Sequence, residues 1–534
     1  MTIRRLLVAN RGEIAVRVFR TCRRLGIETV AVVAPDDRAA LHGRSADTTL
    51  EIASYLDASE HVRAALASGT DAIHPGYGFL AENSSFAEAV IDAGLTWIGP
   101  PPAALRLGGD KIAAKRIAVE NGVSTVPQGG PDEIGLPLLI KAAAGGGGRG
   151  MRIVRRADEL EEAIAAARRE AEGAFGDDTV FFERYLERPR HVEAQLIGHR
   201  GGIAILGGRD CSIQRRHQKL VEESPPPDLD PAAWAEIEAG SRAFAEAIEY
   251  KGAGTAEFLV EGSDVYFLEL NGRIQVEHPV SEEVTGLDIV ELQLRVAMGE
   301  EIELDVTSTG HAIEARLYAE DPRTFLPQAG LIDRLDLPAG IRVDAGVETG
   351  DEIGLSYDPL VAKLVAHGAD RDDAIARLSR ALDETIIEGV VSNLPFLRWL
   401  VRHPSFRRAE LSTAFLSDHP PLSAPPLRLA PSAFAAPWRL NQPRPPHTAS
   451  PDVDAALPGM AAHGQGAVAA PMPGMVLSVA VTVGDEVAPQ QRLVVLEAMK
   501  MEMPVTAPFA ATVVAVHVAA GDQVGAGAVL VELG

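Results

Sequence analysis

In the first hundred residues, short apolar runs alternate with stretches whose apolar positions fall three and four apart. Leu6-Leu7-Val8-Ala9 reads as a buried strand, Glu13 to Leu25 has helical spacing, and Thr29-Val30-Ala31-Val32-Val33 reads as the next strand, which predicts a βαβ unit. That unit has no dinucleotide glycine fingerprint. Further on, a helical run is predicted from Ala157 to Glu172, the segment 179–270 is rich in strands, and Asp373 to Leu382 is an amphipathic helix. Near the end the pattern shortens to runs such as Met475-Val476-Leu477-Ser478-Val479 and Thr512-Val513-Val514-Ala515-Val516, each followed by a Gly-Asp turn. Pro471, Gly484, Asp485, Val487 and Leu493 recur as Pro508, Gly521, Asp522, Val524 and Leu530, a constant shift of 37 residues. The repeat predicts two similar β-halves, with Lys500 close to their pseudo-symmetry axis at an exposed hairpin.

A length of 534 residues exceeds one ordinary core and predicts several domains. The segment 417–470 holds 11 of the chain's 36 prolines, with Ala and Ser, so it reads as a linker with no core of its own. A flexible coil of that length spans ~40 Å on average, a reach that suits a module visiting distant sites. A net charge of −25 with no basic block argues against nucleic acid as a partner. Two cysteines, Cys22 and Cys211, give neither a disulfide framework nor a metal cluster. The leading apolar run is too short for a secretory signal or a membrane span, so the expectation is a cytoplasmic chain with no membrane partner.

Two stretches carry candidate chemistry. Lys141 and the glycines Gly145, Gly146, Gly147 and Gly148 follow the apolar strand Leu138-Leu139-Ile140. Consecutive glycines let backbone N–H groups approach phosphate oxygens, and the lysine adds charge, as in an ATP lid; no Gly-Lys-Ser/Thr makes it a Walker loop. In the run Glu269 to Glu277 every odd position is polar, so an extended strand would aim Glu269, Asn271, Arg273, Gln275 and Glu277 to one side. A hairpin turning at Gly262-Ser263-Asp264 would set Glu257 directly opposite Glu269. Two carboxylates and an amide oxygen facing one another call for a hard divalent cation.

The run Glu497-Ala498-Met499-Lys500-Met501-Glu502 inside the β-repeat resembles the attachment site of a biotinyl carrier barrel, with biotin on Lys500. Upstream, the stretches Ala9-Asn10-Arg11-Gly12-Glu13-Ile14-Ala15, His74 to Leu80 with Glu82-Asn83, Gly109-Asp110-Lys111, Arg209 to Lys219 and Glu269 to Pro279 resemble an ATP-grasp biotin carboxylase over about the first 415 residues. The whole resembles the α chain of biotin-dependent acyl-CoA carboxylases. The resemblance implies a multidomain α/β and α+β chain: a Rossmann-like N-terminal domain (1–110), an ATP-grasp domain (111–308, lid about 128–200), a C-terminal carboxylase domain (309–416), the linker (417–470) and an all-β flattened biotinyl barrel (471–534).

It also implies roles. Lys111, Lys141 and His191 contact ATP phosphates, Glu183 with Leu186 flanks the adenine, and Gln214 with His217 reaches the ribose. Glu257, Glu269 and Asn271 hold Mg²⁺ or Mn²⁺. Bicarbonate sits against Lys219, Arg273, Gln275 and the backbone of Val276, Glu277 is the base, and Arg342 supports the negative charge that develops on the biotin ring. The product of the first step would be carboxyphosphate, which breaks down to CO₂ and phosphate. Partners implied are a separate carboxyltransferase β subunit, since no CoA-binding segment is legible in the chain, together with a biotin protein ligase and a second copy of the carboxylase. Three features depart from the family pattern: few residues between Pro127 and Leu138, Gly272 where Thr is usual, and a 417–470 segment too short for a docking domain. Two other readings are a different ATP-grasp ligase fused to a carrier, and a carrier whose ATP site has decayed.

Overall fold

The computed structural model describes residues 2–142, 151–175, 178–215, 218–354, 356–423, 466–471, 474–498, 501–525 and 527–534. The N-terminal unit is a five-stranded parallel sheet in the order Thr48–Glu51, Glu28–Val33, Arg5–Val8, Ala72–His74, Thr96–Trp97. Leu6, Leu7 and Val8 are fully buried because helices cover both faces of a parallel sheet, which is why these strands read as unbroken apolar runs. The helix Gly12–Arg24 between the first two strands buries Ile14, Val18, Phe19 and Cys22. It also buries Glu13 and Arg17, whose partners lie far along the chain.

The centre is an eight-stranded antiparallel sheet in the order Asp264–Asn271, Gly252–Glu261, Arg190–His199, Gly202–Arg215, Gln218–Ser224, His311–Tyr318, Leu360–Gly368, Arg342–Ala345. Its second half packs one face on a large apolar core that includes Ile313, Ala315, Leu317 and Leu364 together with Ile375, Leu378 and Leu382 of the helix Arg371–Glu384. Successive residues point to opposite faces, so Glu314, Arg316 and Lys363 occupy the other face, toward the short helix His278–Thr285. A smaller three-stranded sheet, Arg152–Val154, Leu138–Ala142, Val180–Arg184, packs on the helix Leu160–Phe175 through Leu138, Ile140, Val154 and Ala167. The strand Arg190–His199 pairs in the large sheet, so the small lid unit ends before residue 190 and is narrower than the 128–200 expected.

Residues 466–534 form two four-stranded sheets around one core of Val476, Leu493, Leu496, Val513, Leu530 and Val531. One is Met501–Thr506, Arg492–Ala498, Gly474–Val479, Gln523–Val524; the other is Ala467–Ala469, Val529–Leu533, Ala511–Val516, Glu486–Val487. The 37-residue shift takes strands of one sheet onto strands of the other, as from Gly474 to Ala511 and from Arg492 to Val529. Ala467–Ala469 pairs with Val529–Leu533, so the β-unit begins upstream of residue 471. The strands Arg492–Ala498 and Met501–Thr506 pair down to Ala498 opposite Met501. Met499 and Lys500, which join them, lie outside the described residues, as do Gly145, Gly146, Gly147, Gly148 and His217.

Candidate active site

The hairpin Gly252–Glu261 with Asp264–Asn271 sets Glu257 opposite Glu269, by a route the sequence did not indicate. Glu261 pairs with Asp264, so the turn is the two residues Gly262-Ser263, and a bulge at Leu268 between the Glu257 and Phe258 pairings restores the register. Glu257 is in turn opposite Glu193, and Glu193 is opposite Arg209. One row across four strands therefore reads Glu269, Glu257, Glu193, Arg209. Arg209 is fully buried, with Nε 2.5 Å from Glu193 Oε1 and Nη1 donating to Gln195 at 2.7 Å.

Lys219 reaches over this row. Its ammonium donates to Glu193 Oε2 at 2.5 Å, Glu257 Oε1 at 2.9 Å and Glu277 Oε1 at 2.6 Å. Burial works against the Lys219 charge, but Glu193, Glu257 and Glu277 outweigh it and hold its pKa well above the usual lysine range. Burial alone would raise Glu277, yet Lys219, Arg316 and Arg209 hold it well below the ordinary carboxylate range. Glu277 is therefore an ionised acceptor at neutral pH.

The polar alternation from Glu269 does not continue as a strand. Pairing ends at Asn271, and Glu277 is the residue immediately before the helix His278–Thr285. The row nevertheless converges, because Arg273 Nη2 donates to Asn271 Oδ1 at 2.9 Å and Nη1 to Gln275 Oε1 at 2.6 Å. Asn271 and Gln275 pass the contact on, donating to Glu257 Oε1 at 2.9 and 3.0 Å. Glu82 accepts from the Gly272 N–H at 3.2 Å and lies 3.1 Å from Arg273 Nε, fixing the segment from the N-terminal unit. The carbonyl of Val276 accepts from the buried Lys363 at 3.0 Å.

On the same face as Glu193, Gln214 donates to His191 Nδ1 at 2.7 Å, which leaves the ring proton on Nε2, 2.9 Å from Glu257 Oε2. Glu183 is buried beside Leu186 and gathers Lys115, Lys141 at 2.5 Å and Gln128 at 2.8 Å. Lys111 opens the helix Lys111–Glu120 and bears electrostatically on Glu269. Arg342 is held by Glu282 at 2.8 Å, Asp344 at 3.0 Å and Glu283 at 3.4 Å.

Glu257 and Glu269, opposite each other in the hairpin, are the carboxylates that could hold a divalent cation. Burial and the Glu257 charge together push Glu269 above its usual range, despite Lys111 and Arg273. A dication offsets two facing carboxylates. Asn271 is adjacent, although its Oδ1 is turned to Arg273.

Sequence reasoning did not single out Glu193, Arg209, Lys115, Arg316 or Lys363. Glu193 had a signal, since His191, Glu193 and Gln195 alternate with Val192 and Ala194 as clearly as the later run does. Arg209 opens the stretch Arg209 to Lys219 that carries the family resemblance, whereas Lys115, Arg316 and Lys363 have no such signal, because partners far along the chain define them.

Comparison with known proteins gives four consecutive family matches. Residues 2–105 match the biotin carboxylase N-terminal domain, 119–305 the carbamoyl-phosphate synthase L chain ATP-binding domain, 314–418 the biotin carboxylase C-terminal domain, and 466–533 the biotin-requiring enzyme family. The biotin-dependent acyl-coenzyme A carboxylase alpha3 subunit of Mycobacterium leprae is 43% identical over 601 aligned residues, covering 99% of this chain and 98% of that protein. Biotin carboxylase of Pseudomonas aeruginosa is 45% identical across 78% of this chain and 98% of its own. Among solved structures, a Campylobacter jejuni biotin carboxylase complex covers 78% of this chain and 99% of its own at 40% identity, with a TM-score of 0.76. The biotin carboxylase domain dimer of Hydrogenobacter thermophilus 2-oxoglutarate carboxylase, solved with MgADP, ADP and bicarbonate, has the same TM-score at 42% identity, covering 79% of this chain and 98% of its own.

Proposed function

Because this chain belongs to the biotin-dependent carboxylases, with the parts of a biotin carboxylase ahead of a biotin-requiring carrier domain, we propose how its own side chains divide the work. The chain catalyses ATP-dependent carboxylation of biotin with bicarbonate, the first half-reaction of an acyl-CoA carboxylase. Biotin, ATP, Mg²⁺ and bicarbonate are its cofactors and substrates. When bound, biotin supplies the ureido nitrogen that takes up CO₂, and Mg²⁺ offsets phosphate charge.

The observation that carries the residue assignment is Lys219 held between Glu257 and Glu277. In this reading bicarbonate sits against Lys219, Arg273, Gln275 and the Val276 backbone, with Glu257 and Glu269 holding the metal and Asn271 supporting it. Glu277 removes the bicarbonate proton as an oxygen attacks the γ-phosphorus and ADP leaves, giving carboxyphosphate. His191, Lys111, Lys141 and the glycines Gly145 to Gly148 serve the phosphates, and Glu183 with Leu186 and Gln214 with His217 serve the nucleoside. Arg342 stabilises developing negative charge beside CO₂ transfer. Lys500 is the biotinylated residue, modified by a biotin protein ligase.

The test is biotin-stimulated, bicarbonate-dependent ATP cleavage in the parent chain and in Glu277→Gln. Retention of cleavage by the variant would remove Glu277 from the role of base. Stimulation by ammonia or an amino acid instead of biotin would favour another ATP-grasp ligase, the reading suggested by the name of the 119–305 match alone.

Relatives that are acyl-CoA carboxylase α subunits imply a carboxyltransferase partner and oligomerisation. We infer a separate β subunit and a homodimer through the carboxylase part. No helix among the described residues is long and apolar enough to cross a membrane. Two free, buried cysteines suit the cytoplasm.

A further inference from the structure

Behind Glu277 lies a buried charged layer that the reaction as described leaves without a task. Glu222 and Glu314 are directly opposite each other on the strands Gln218–Ser224 and His311–Tyr318, and neither has any solvent exposure. Arg316, two residues on and on the same face, lies between Glu222 Oε1 and Glu277 Oε2, 2.9 Å from the latter. Neither oxygen of Glu314 has a hydrogen-bond donor among the described residues. The other charges facing this pair are Lys363, opposite Arg316 on the next strand, and Glu277 with Lys219.

Two facing carboxylates out of water cannot both ionise cheaply with one guanidinium between them and Glu277. We propose that Glu222 and Glu314 share one proton, and that the single negative charge left on the pair holds Arg316 from behind, so that Glu222 and Arg316 are positioning residues that fix the carboxylate of Glu277. The proposal rests on Glu277 being the base. Burial pushes the Glu222 carboxyl up to about 7 even against Arg316. It pushes Glu314 well above the usual range, more than Lys363 draws it down, with Glu222 adding to the rise.

The arrangement has a kinetic consequence. A carboxylate gripped by two cations is a weak base, and a base works best when its pKa approaches the working pH. Glu222 competes with Glu277 for Arg316, so it limits how far Arg316 depresses Glu277. Without that competition Arg316 bears on Glu277 alone, and the base becomes weaker while still being ionised.

The experiment measures bicarbonate-dependent ATP cleavage and self-carboxylation by the full biotinylated chain, with kcat and the bicarbonate KM taken across pH. Glu222→Gln is expected to lower kcat about tenfold or more with KM nearly unchanged, and to move the acid limb of the kcat profile to lower pH. Glu314→Gln replaces a protonated carboxyl with a neutral isostere, so it should keep kcat within about threefold. It should also remove the infrared band of a protonated carboxyl that the parent shows at neutral pH. A parental kcat and pH profile in Glu222→Gln would overturn the positioning role, and absence of that band from the parent would overturn the shared proton. Should Glu222→Gln not fold, Arg316→Lys decides: it keeps the charge but withdraws it from the place where the single Nη2 meets both carboxylates, so an unchanged kcat would overturn the idea and a drop at constant KM would support it. Full activity in Glu277→Gln would show instead that the reading of the base had failed.

Discussion

Lys219 is shared by three carboxylates, so removing it takes a cationic partner from each of them in a buried site. Glu193 keeps Arg209 and Glu277 keeps Arg316, while Glu257 is left with His191. Lys219→Met should therefore destabilise the chain by about 3–5 kcal/mol and abolish bicarbonate-dependent ATP cleavage. The pH dependence has a definite sign. Burial opposes the shift, but Lys219 with Arg316 or His191 brings Glu277 and Glu257 below their ordinary value of 4.5. The stability they contribute is complete above that pH and is lost as pH falls below it. Urea unfolding in parallel at neutral and acid pH should show a shallower acid loss in Lys219→Met than in the parent; equal slopes would sink the account. A second residue-scale case is Gly272, where a Cβ would stand 2.8 Å from Leu105 Cδ2. Gly272→Ala should cost about 1–2 kcal/mol, and most of that should be recovered in a Leu105→Val background. Equal costs in the two backgrounds would mean that Leu105 is not what restricts the position. Glu257 and Glu269 were legible because hairpin register pairs facing strand positions, whereas Glu277 was put in their row by an alternation that the structure ends at Asn271. Arg316 was not legible, since its meaning depends on Glu277 and Glu222, which chain order does not place beside it.

At the scale of elements, the hairpin shows why a register can be right for an incomplete reason. The sequence allows a three-residue turn at Gly262-Ser263-Asp264, and the same Glu257 and Glu269 pairing arises from a two-residue turn plus a bulge at Leu268. Turn length and bulge compensate, and no local pattern distinguishes the two solutions. The helix Gly12–Arg24 shows a second limit. Its apolar spacing predicted the helix, but Arg17 on its buried side meets Glu282 at 2.8 Å and Asp288 at 2.9 Å, both far along the chain. Glu282 is also a partner of Arg342, so this helix shares an anchor with the side chain assigned to CO₂ transfer. Arg17→Ala leaves Glu282 and Asp288 short of a partner, and a destabilisation of about 3–5 kcal/mol is expected in thermal or urea unfolding. A cost within about 0.5 kcal/mol would mean that the pair is effectively solvated.

For the whole molecule, the question is how a small β-unit serves a reaction centre built from three other parts of the chain. The two carrier sheets close on their own core of Val and Leu residues, so the carrier has its own packing. The sequence between the carboxylase and the carrier is rich in Pro, Ala and Ser, a composition that tethers without building a core. The alignment with the Mycobacterium leprae α3 subunit runs over 601 positions for a chain of 534, so that relative has segments with no counterpart here. If the connection acts as a tether, it would set the carrier's local concentration, on the order of millimolar for a linker of flexible composition. A protease site inserted between residues 424 and 465 gives a direct test. After cleavage, carboxylation of the released carrier at micromolar concentration should fall by about 10²–10³-fold and return as carrier is raised toward millimolar. Bicarbonate-dependent ATP cleavage stimulated by free biotin should be unaffected by the cut, because every residue assigned to that step lies upstream. A carrier that stays fully active at micromolar concentration after cleavage would show that a specific docking surface, and not the tether, brings it to the site.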